Sequence, residues 1–377
     1  MFPLISRELI PRVRRVAARA GEYAWLAAKD RRQRVAYVGG WLGHRNLGDE
    51  ALLAAMQGLF KRFMLVPFDG GTTRRWQLVA TRSLRHGVLG GGTLINRIPA
   101  WLEVAEKFYG MRPRLTVFGT GVANSSFWGG RDGWMDQMDR WRILLNKCDY
   151  IGVRGPISAT LLRNAGVTNV EVVGDPVIAL ADTEPARTRE SGCLGMNIGA
   201  SSGQLWGDNE TRLCEEYVKL ATTARKKGYR VEWFVVWPQD LPVTRLAAVE
   251  SRTDERIHEI YTDASAYLKT VRRMSFFVGM KLHATLLATC AYVPSVMLEY
   301  QPKCRDYMAS IAQEDATVRT DQFRAELIWE MLSAWETRRE EMINTLWRHI
   351  SDLKLRQSTA ARYVADSIFA IDGRSNE

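Results

Sequence analysis

The sequence predicts an α/β chain of two tandem Rossmann-like domains, and three observations carry that prediction. Short β-branched runs alternate with stretches of helical length almost throughout. The 377 residues exceed what one compact core usually holds. One polar interruption, residues 181–193 (ADTEPARTRESGC), divides the alternation into two series and marks a linker.

In the first series, residues 35–39, 65–68, 87–89, 115–118, 150–153 and 170–173 read as buried strands. Helical patterns lie between them at 49–62, 98–109, 132–147 and 155–165. Strands joined through helices make right-handed crossovers and a parallel sheet covered on both faces. The second series has strands near 194–198, 230–236, 257–261, 276–279 and 295–298. Its helices fall near 209–227, 241–252, 264–273 and 282–291. From about 321 to 371, Leu327, Met331, Trp335, Met342, Leu346 and Ile350 recur at helical spacing. The expected organisation is therefore a basic helical segment (1–34), a first domain (35–185), a second (186–320) and a helical tail (321–377). Such a pair sites its chemistry in the cleft between the carboxyl ends of the two sheets.

The formal net charge is +10, and its position matters more than its size. Residues 1–34 carry nine Lys/Arg against three Asp/Glu, whereas the remaining 343 residues are nearly balanced. Nucleic acid is not an expected partner, because no basic face on a recognisable module is visible. Ile5, Leu9, Val13, Val16, Ala20, Tyr23 and Ala27 line one face of a helix whose other sides carry arginines. That segment suits an anionic membrane surface, or docking on the first domain with its basic side solvated. The longest apolar stretch, residues 284–298, is interrupted by Thr, Ser and Pro294 and falls short of the ~20 residues a membrane span needs. A soluble, cytoplasmic protein is expected. Its five cysteines, odd in number and without a CxxC pair, suit reduced thiols and neither a disulfide framework nor a structural zinc site. No cluster has convincing metal spacing, so no metal is expected.

Four stretches carry chemistry. The first strand runs into GGWLGHRNLGDEALL (39–53), a glycine-rich loop holding His44, Asn46 and Gly48 before Asp49 and Glu50 open a helix. Two carboxylates there oppose a bound phosphate but suit sugar hydroxyls or a general base; helix capping is the other use of Asp49. Gly90, Gly91, Gly92 and Thr93 follow the third strand, where glycines let backbone approach a ligand. Arg154 ends a strand, able to fork onto a phosphate or carboxylate or to pair with a loop carboxylate. In FFVGMKLHATLLATCAYVPSVMLEYQPKC (276–304), Lys281, Leu282 and His283 open a helix at the cleft, followed one strand later by Tyr300 and Lys303. Exposed amides at such a terminus favour an anion. Trp41, Trp128, Trp206 and Trp237 are candidates for stacking on sugar rings.

Taken together, GHRNLGDEALL, LGGGTLIN, DYIGVRGPIS, LLRNAGV, VGDPV and FFVGMKLHATLLATCAYVPSVMLEYQPKCRDYM resemble the polysaccharide pyruvyltransferase family, in the right order over residues 35–310. The resemblance implies a glycosyltransferase-B-like fold. It also implies transfer of a pyruvyl group from phosphoenolpyruvate (PEP) to two hydroxyls of a glycan or lipid-linked oligosaccharide, giving a cyclic ketal and phosphate. PEP is then a co-substrate, and no resident cofactor is expected. On that reading His283, with a pKa tunable near neutrality, is the acid/base candidate. Lys281, Leu282, Lys303 and Arg154 would contact PEP. Asp49 or Glu50 would orient or deprotonate the acceptor, which the Gly90–Gly92 loop would let approach. The family usually has Arg-Leu-His where this chain has Lys281-Leu282-His283. Lysine keeps the charge and loses the planar two-pronged grip. The alternatives are a nucleotide-sugar glycosyltransferase on the same fold and a non-catalytic glycan-binding relative.

Overall fold

The computed structural model describes residues 33–40, 42–68, 86–96, 99–110, 114–124, 127, 134–186, 191–207 and 209–374. The amphipathic helix read in residues 1–34 lies outside these, apart from Gln33 and Arg34 in the first strand.

The first half runs β1 (Gln33–Val38), α1 (Leu47–Leu59), β2 (Phe63–Pro67), β3 (His86–Gly90), α2 (Pro99–Gly110) and β4 (Arg114–Thr120). It continues with α3 (Trp134–Leu145), β5 (Tyr150–Val153), α4 (Pro156–Asn164) and β6 (Val170–Val172). These strands form a parallel sheet in the order β2-β1-β3-β4-β5-β6. A one-turn helix, Pro176–Leu180, leads to the second half.

There, β7 (Cys193–Asn197), α5 (Glu210–Lys226), β8 (Arg230–Val235), α6 (Leu241–Ser251), β9 (Ile257–Glu259) and α7 (Ala264–Val271) come first. Then follow β10 (Phe276–Gly279), α8 (Leu282–Cys290), β11 (Ser295–Glu299), α9 (Pro302–Ser310) and β12 (Thr317–Arg319). The second parallel sheet has the order β12-β11-β10-β7-β8-β9. Two helices close the chain, α10 (Ala325–Trp335) and α11 (Arg339–Arg374). The α/β class and its two sheets are as the alternation predicts, because strands buried on both faces leave short continuous apolar runs. Helix α9 and strand β12 escape that reading: PKCRDYMAS has weak apolar periodicity, and a three-residue strand leaves none.

One of the core clusters spans both halves. Leu47, Ala51 and Leu52 of α1 and Val177 and Ile178 of the connecting turn pack in a single cluster with second-half residues such as Leu286 and Leu287. Backbone crosses as well: the Leu47 amide donates to the Val236 carbonyl at 3.0 Å. Helix α4 begins at Gly155, which has no side chain to cap it. The cap comes from α9, where Asp306 Oδ1 accepts the amides of Ile157 and Ser158, each at 3.0 Å. Asp306 Oδ2 also accepts the Ser158 hydroxyl at 2.6 Å. A Cβ on Gly155 would fall 2.1 Å from the Asp306 carbonyl oxygen, so this approach requires glycine.

Helix α11 returns to the first half, so the helical tail is not peripheral. Ala361, Val364 and Ile368 pack with Val35, Tyr37 and Phe60. Lys354 Nζ donates to the Ala181 carbonyl at 2.6 Å, and Gln357 Nε2 to the Asp175 carbonyl at 2.7 Å. All five cysteines are free thiols. No described helix is both long and apolar enough to cross a membrane.

Asp306→Ala removes the cap of α4 and one carboxylate beside the buried Arg154. It is expected to destabilise the fold by about 3–5 kcal/mol, measured by urea denaturation. A loss below about 1 kcal/mol would show that water replaces the cap.

Candidate active site

The loops after β1, β3, β5 and β6 meet those after β7, β8, β10 and β11, and the chemically distinctive side chains lie where they meet. His283 occupies the first turn of α8, whose N-cap is Lys281. Its Nε2 lies 3.8 Å from Asp175 Oδ2, and its other nitrogen faces α1. A Cβ on Gly48 would sit 2.1 Å from Nδ1, so only glycine at the start of α1 allows the imidazole this close. The two domains thus touch through a ring and a bare backbone.

Three cations surround that contact. Arg154, with no exposed surface, lies between Asp175 (Nη1 to Oδ2, 3.9 Å) and Asp306 (Nε to Oδ2, 3.7 Å). Its Nη2 donates to Thr93 Oγ1 at 3.0 Å and its Nη1 to the Gly92 carbonyl at 3.4 Å. Lys281 Nζ donates to the Ala200 carbonyl at 2.6 Å, pairs with Asp240 at 3.2 Å and stands 5.3 Å from the Trp237 ring centre. Lys303 Nζ sits 4.7 Å over the Tyr300 ring. Lys281 reaches the same ring from 5.8 Å.

Burial and these cations decide the protonation states. His283 is pulled down to about 3, first by burial and then by Arg154 and Lys303. Near neutrality its imidazole is therefore uncharged, which corrects the expectation of a pKa close to 7. In that state it has no proton to give until it has taken one. Burial pushes Lys303 down to about 8, with Lys281 and Arg154 adding to the effect. Asp175 and Asp240 are each raised to about 6, in both cases mainly by burial and against the pull of a neighbouring cation. A neutral imidazole, neighbouring cations and carboxylates of raised pKa are the groups that anion binding and proton movement need.

Among known proteins, a profile of the polysaccharide pyruvyl transferase family matches residues 46–302. The chain belongs to this family. It is accordingly a transferase, and a glycan acceptor fits it. No match is found among curated protein sequences. Solved structures share the fold: S. aureus MnaA in complex with UDP aligns at TM-score 0.59 and 10% identity, over 89% of this chain and 96% of that one. A UDP-N-acetylglucosamine 2-epimerase from Rickettsia bellii aligns at 0.56 and 12%, over 90% and 98%. A glycosyltransferase from Rickettsia africae aligns at 0.53 and 8%, over 90% and 99%. At such identities the likeness shows a glycosyltransferase-B-like fold alone.

The first-domain residues divide by role. Asp49 lies close enough to Lys303 and Tyr300 to act on both electrostatically. Glu50 turns the other way: its Oε1 accepts the Gly43 amide at 2.7 Å and braces the loop. Asn46 caps α1 by accepting the Gly48 amide at 3.1 Å, and His44 is exposed on the loop. The glycines at 90–92 admit side chains of the protein. Leu52 and Met56 pack against Gly91 and Gly90, and the carbonyls of Gly91 and Gly92 accept Thr120 and Arg154. With Thr93, this loop also supports the guanidinium. The Leu282 side chain is in the core, so only its backbone faces the site.

Trp237 borders Lys281, while Trp206 stacks under Arg319 at 4.1 Å and meets the Phe127 ring at 4.9 Å. Trp41 and Trp128 lie outside the described residues. Among the described residues, no group of three or more His, Cys, Asp or Glu is arranged to hold a metal ion. Sequence reasoning missed Asp175, Asp240 and Asp306. Only Asp175 had a local signal, as the Asp-Pro that ends a strand in VGDPV.

Proposed function

We propose that this transferase moves the pyruvyl group of PEP onto two hydroxyls of one sugar in a cell-surface glycan or its lipid-linked precursor, forming a ketal and releasing phosphate. The family supports the group transferred. The observation that carries the finer reading is that Arg154 and Lys303 act on a neutral imidazole held against the start of α1, while Lys281 acts in turn on Lys303. PEP brings a phosphate and a carboxylate, and several cations in a dry cleft answer that charge. Lys281, standing where the family usually has arginine, contributes as a point charge.

In the proposed sequence, C3 of PEP gains the proton that His283 has taken from the first hydroxyl and becomes the methyl group, leaving C2 oxocarbenium-like. The first hydroxyl gives its proton to His283, with Asp49 orienting the acceptor, and its oxygen bonds to C2. That proton is the one C3 receives over the cycle. The C2–O bond to phosphate then breaks as the second hydroxyl bonds to C2, and the second proton leaves with phosphate. The atoms balance with PEP and a sugar diol alone, so the scheme needs no resident cofactor. Bound PEP would also offset Arg154 and Lys303, the cations that hold His283 down, and so raise its basicity at the moment of use.

Incubation with PEP, or with UDP-sugars, and candidate glycan acceptors should release phosphate from PEP and no UDP. His283→Ala should abolish that release while circular dichroism stays unchanged. UDP release without PEP consumption would instead make the chain a nucleotide-sugar glycosyltransferase. The second expectation concerns pH. The Lys303 ammonium is present below about 8 and lost above it, so PEP affinity should weaken roughly tenfold between pH 7 and 9 by calorimetry. Lys303→Met should bind PEP weakly at both pH values, and an unchanged pH dependence in that variant would exclude Lys303 as the titrating group.

We further propose that the enzyme works at the cytoplasmic face of the membrane, held there by its basic segment, residues 1–34. Deleting the segment should weaken sedimentation with phosphatidylglycerol vesicles and spare activity on a soluble acceptor. Undiminished sedimentation would rule the segment out as the anchor.

A further inference from the structure

We propose that Asp175 is the positioning residue for His283: its carboxylate keeps the imidazole hydrogen on Nε2 and leaves Nδ1 as the nitrogen that takes the acceptor's proton. This rests on the pyruvyl-transfer reading and assigns within it which edge of the ring works.

The geometry is that of an unmade pair. Asp175 has no exposed surface and uses Oδ1 to accept the Val177 amide at 3.1 Å. Its Oδ2 is buried without a hydrogen-bond partner, and so is His283 Nε2. These two atoms lie 3.8 Å apart. Buried polar atoms are nearly always paired, and a carboxylate oxygen only accepts, so the complementary arrangement puts the hydrogen on Nε2. The opposite tautomer would set two lone pairs against each other in a dry interior. A contraction of about 1 Å brings the pair to hydrogen-bond distance, the kind of tightening that catalytic contacts undergo when substrate binds.

Both partners are held for this role. Asp175 caps the turn Pro176–Leu180, and Gln357 of α11 donates to its carbonyl from behind at 2.7 Å. Because Nε2 is buried, the 16% exposure of the His283 side chain belongs to the rest of the ring, whose Nδ1 edge lies over Gly48. That edge faces the start of α1, where Asp49 follows Gly48 in the chain. The charged groups that act on the ring are Asp175 from the turn, Arg154 at the head of α4 and Lys303 of α9, and Asp49 of α1 acts in turn on Lys303.

In the step itself, the acceptor O–H bond breaks, its proton joins Nδ1 and its oxygen bonds to C2 of the pyruvyl group. The ring becomes imidazolium, and its Nε2–H points at a carboxylate whose negative charge offsets the new positive one. A carboxylate behind a catalytic histidine acts in this way by fixing tautomer and orientation.

The test reads the tautomer directly. The chain has five histidines, so the His283 signals can be assigned in a long-range ¹H–¹⁵N spectrum by their loss in His283→Gln. In the free wild-type protein Nε2 should carry the hydrogen and Nδ1 should be bare. Asp175→Asn keeps an oxygen for Val177 but presents an NH₂ group to the ring, so the hydrogen should move to Nδ1. Its kcat should then fall by about 10²–10⁴-fold, with Kd for PEP changed less than about threefold. A hydrogen on Nδ1 in the wild type would overturn the proposal, whether or not the variant folds. So would a folded Asp175→Asn with wild-type kcat. If the wild type consumes no PEP with any acceptor while Nε2 carries the hydrogen, the reaction fails but the hold of Asp175 on the ring is supported.

Discussion

A guanidinium with no exposed surface has to be answered inside the protein, and in this chain the answer joins both domains. Arg154 leaves the end of β5 and meets Asp175 from the connecting turn and Asp306 from the second domain. It also meets Thr93 and the Gly92 carbonyl from the glycine loop. An unpaired buried charge costs several kcal/mol, so these groups must gather around it together or not at all. Domain closure, the path of the glycine loop and the capping of α4 by a foreign helix follow from that one demand.

The same buried charge acts on the chemistry next to it. Burial first, then the nearby Arg154 and Lys303, keeps the His283 imidazole neutral, and burial keeps Lys303 close to losing its own proton. The cations here are balanced by Asp175, Asp306 and Asp240, so their charge is held inside the protein at fixed distances. Asp175 touches both sides of the balance, one oxygen facing the guanidinium and the imidazole at once.

Much of this was legible in the chain. Arg154, Lys281 and His283 could be found because each follows a strand end, where α/β folds collect their chemistry, and Asp49 because it opens a helix there. The glycine loops were legible as special backbone, though not the side chains they make room for, Leu52, Met56 and an arginine. Asp306 had no signal. It lies in a short, weakly amphipathic helix, and the amide it caps at Ser158 is 148 residues away.

By itself, then, the sequence determined the two parallel sheets, the alternation of strands and helices that builds them and the side chains that stand at the strand ends. These depend on local periodicity and on where a chain can turn, and both are written in neighbouring residues. Tertiary structure alone decided that His283 is neutral, that Glu50 braces a loop while Asp49 faces the cations, and that Asp175 stands behind the imidazole. Protonation and pairing depend on burial and on distances of a few ångströms between groups far apart in the chain, and no local pattern carries that information.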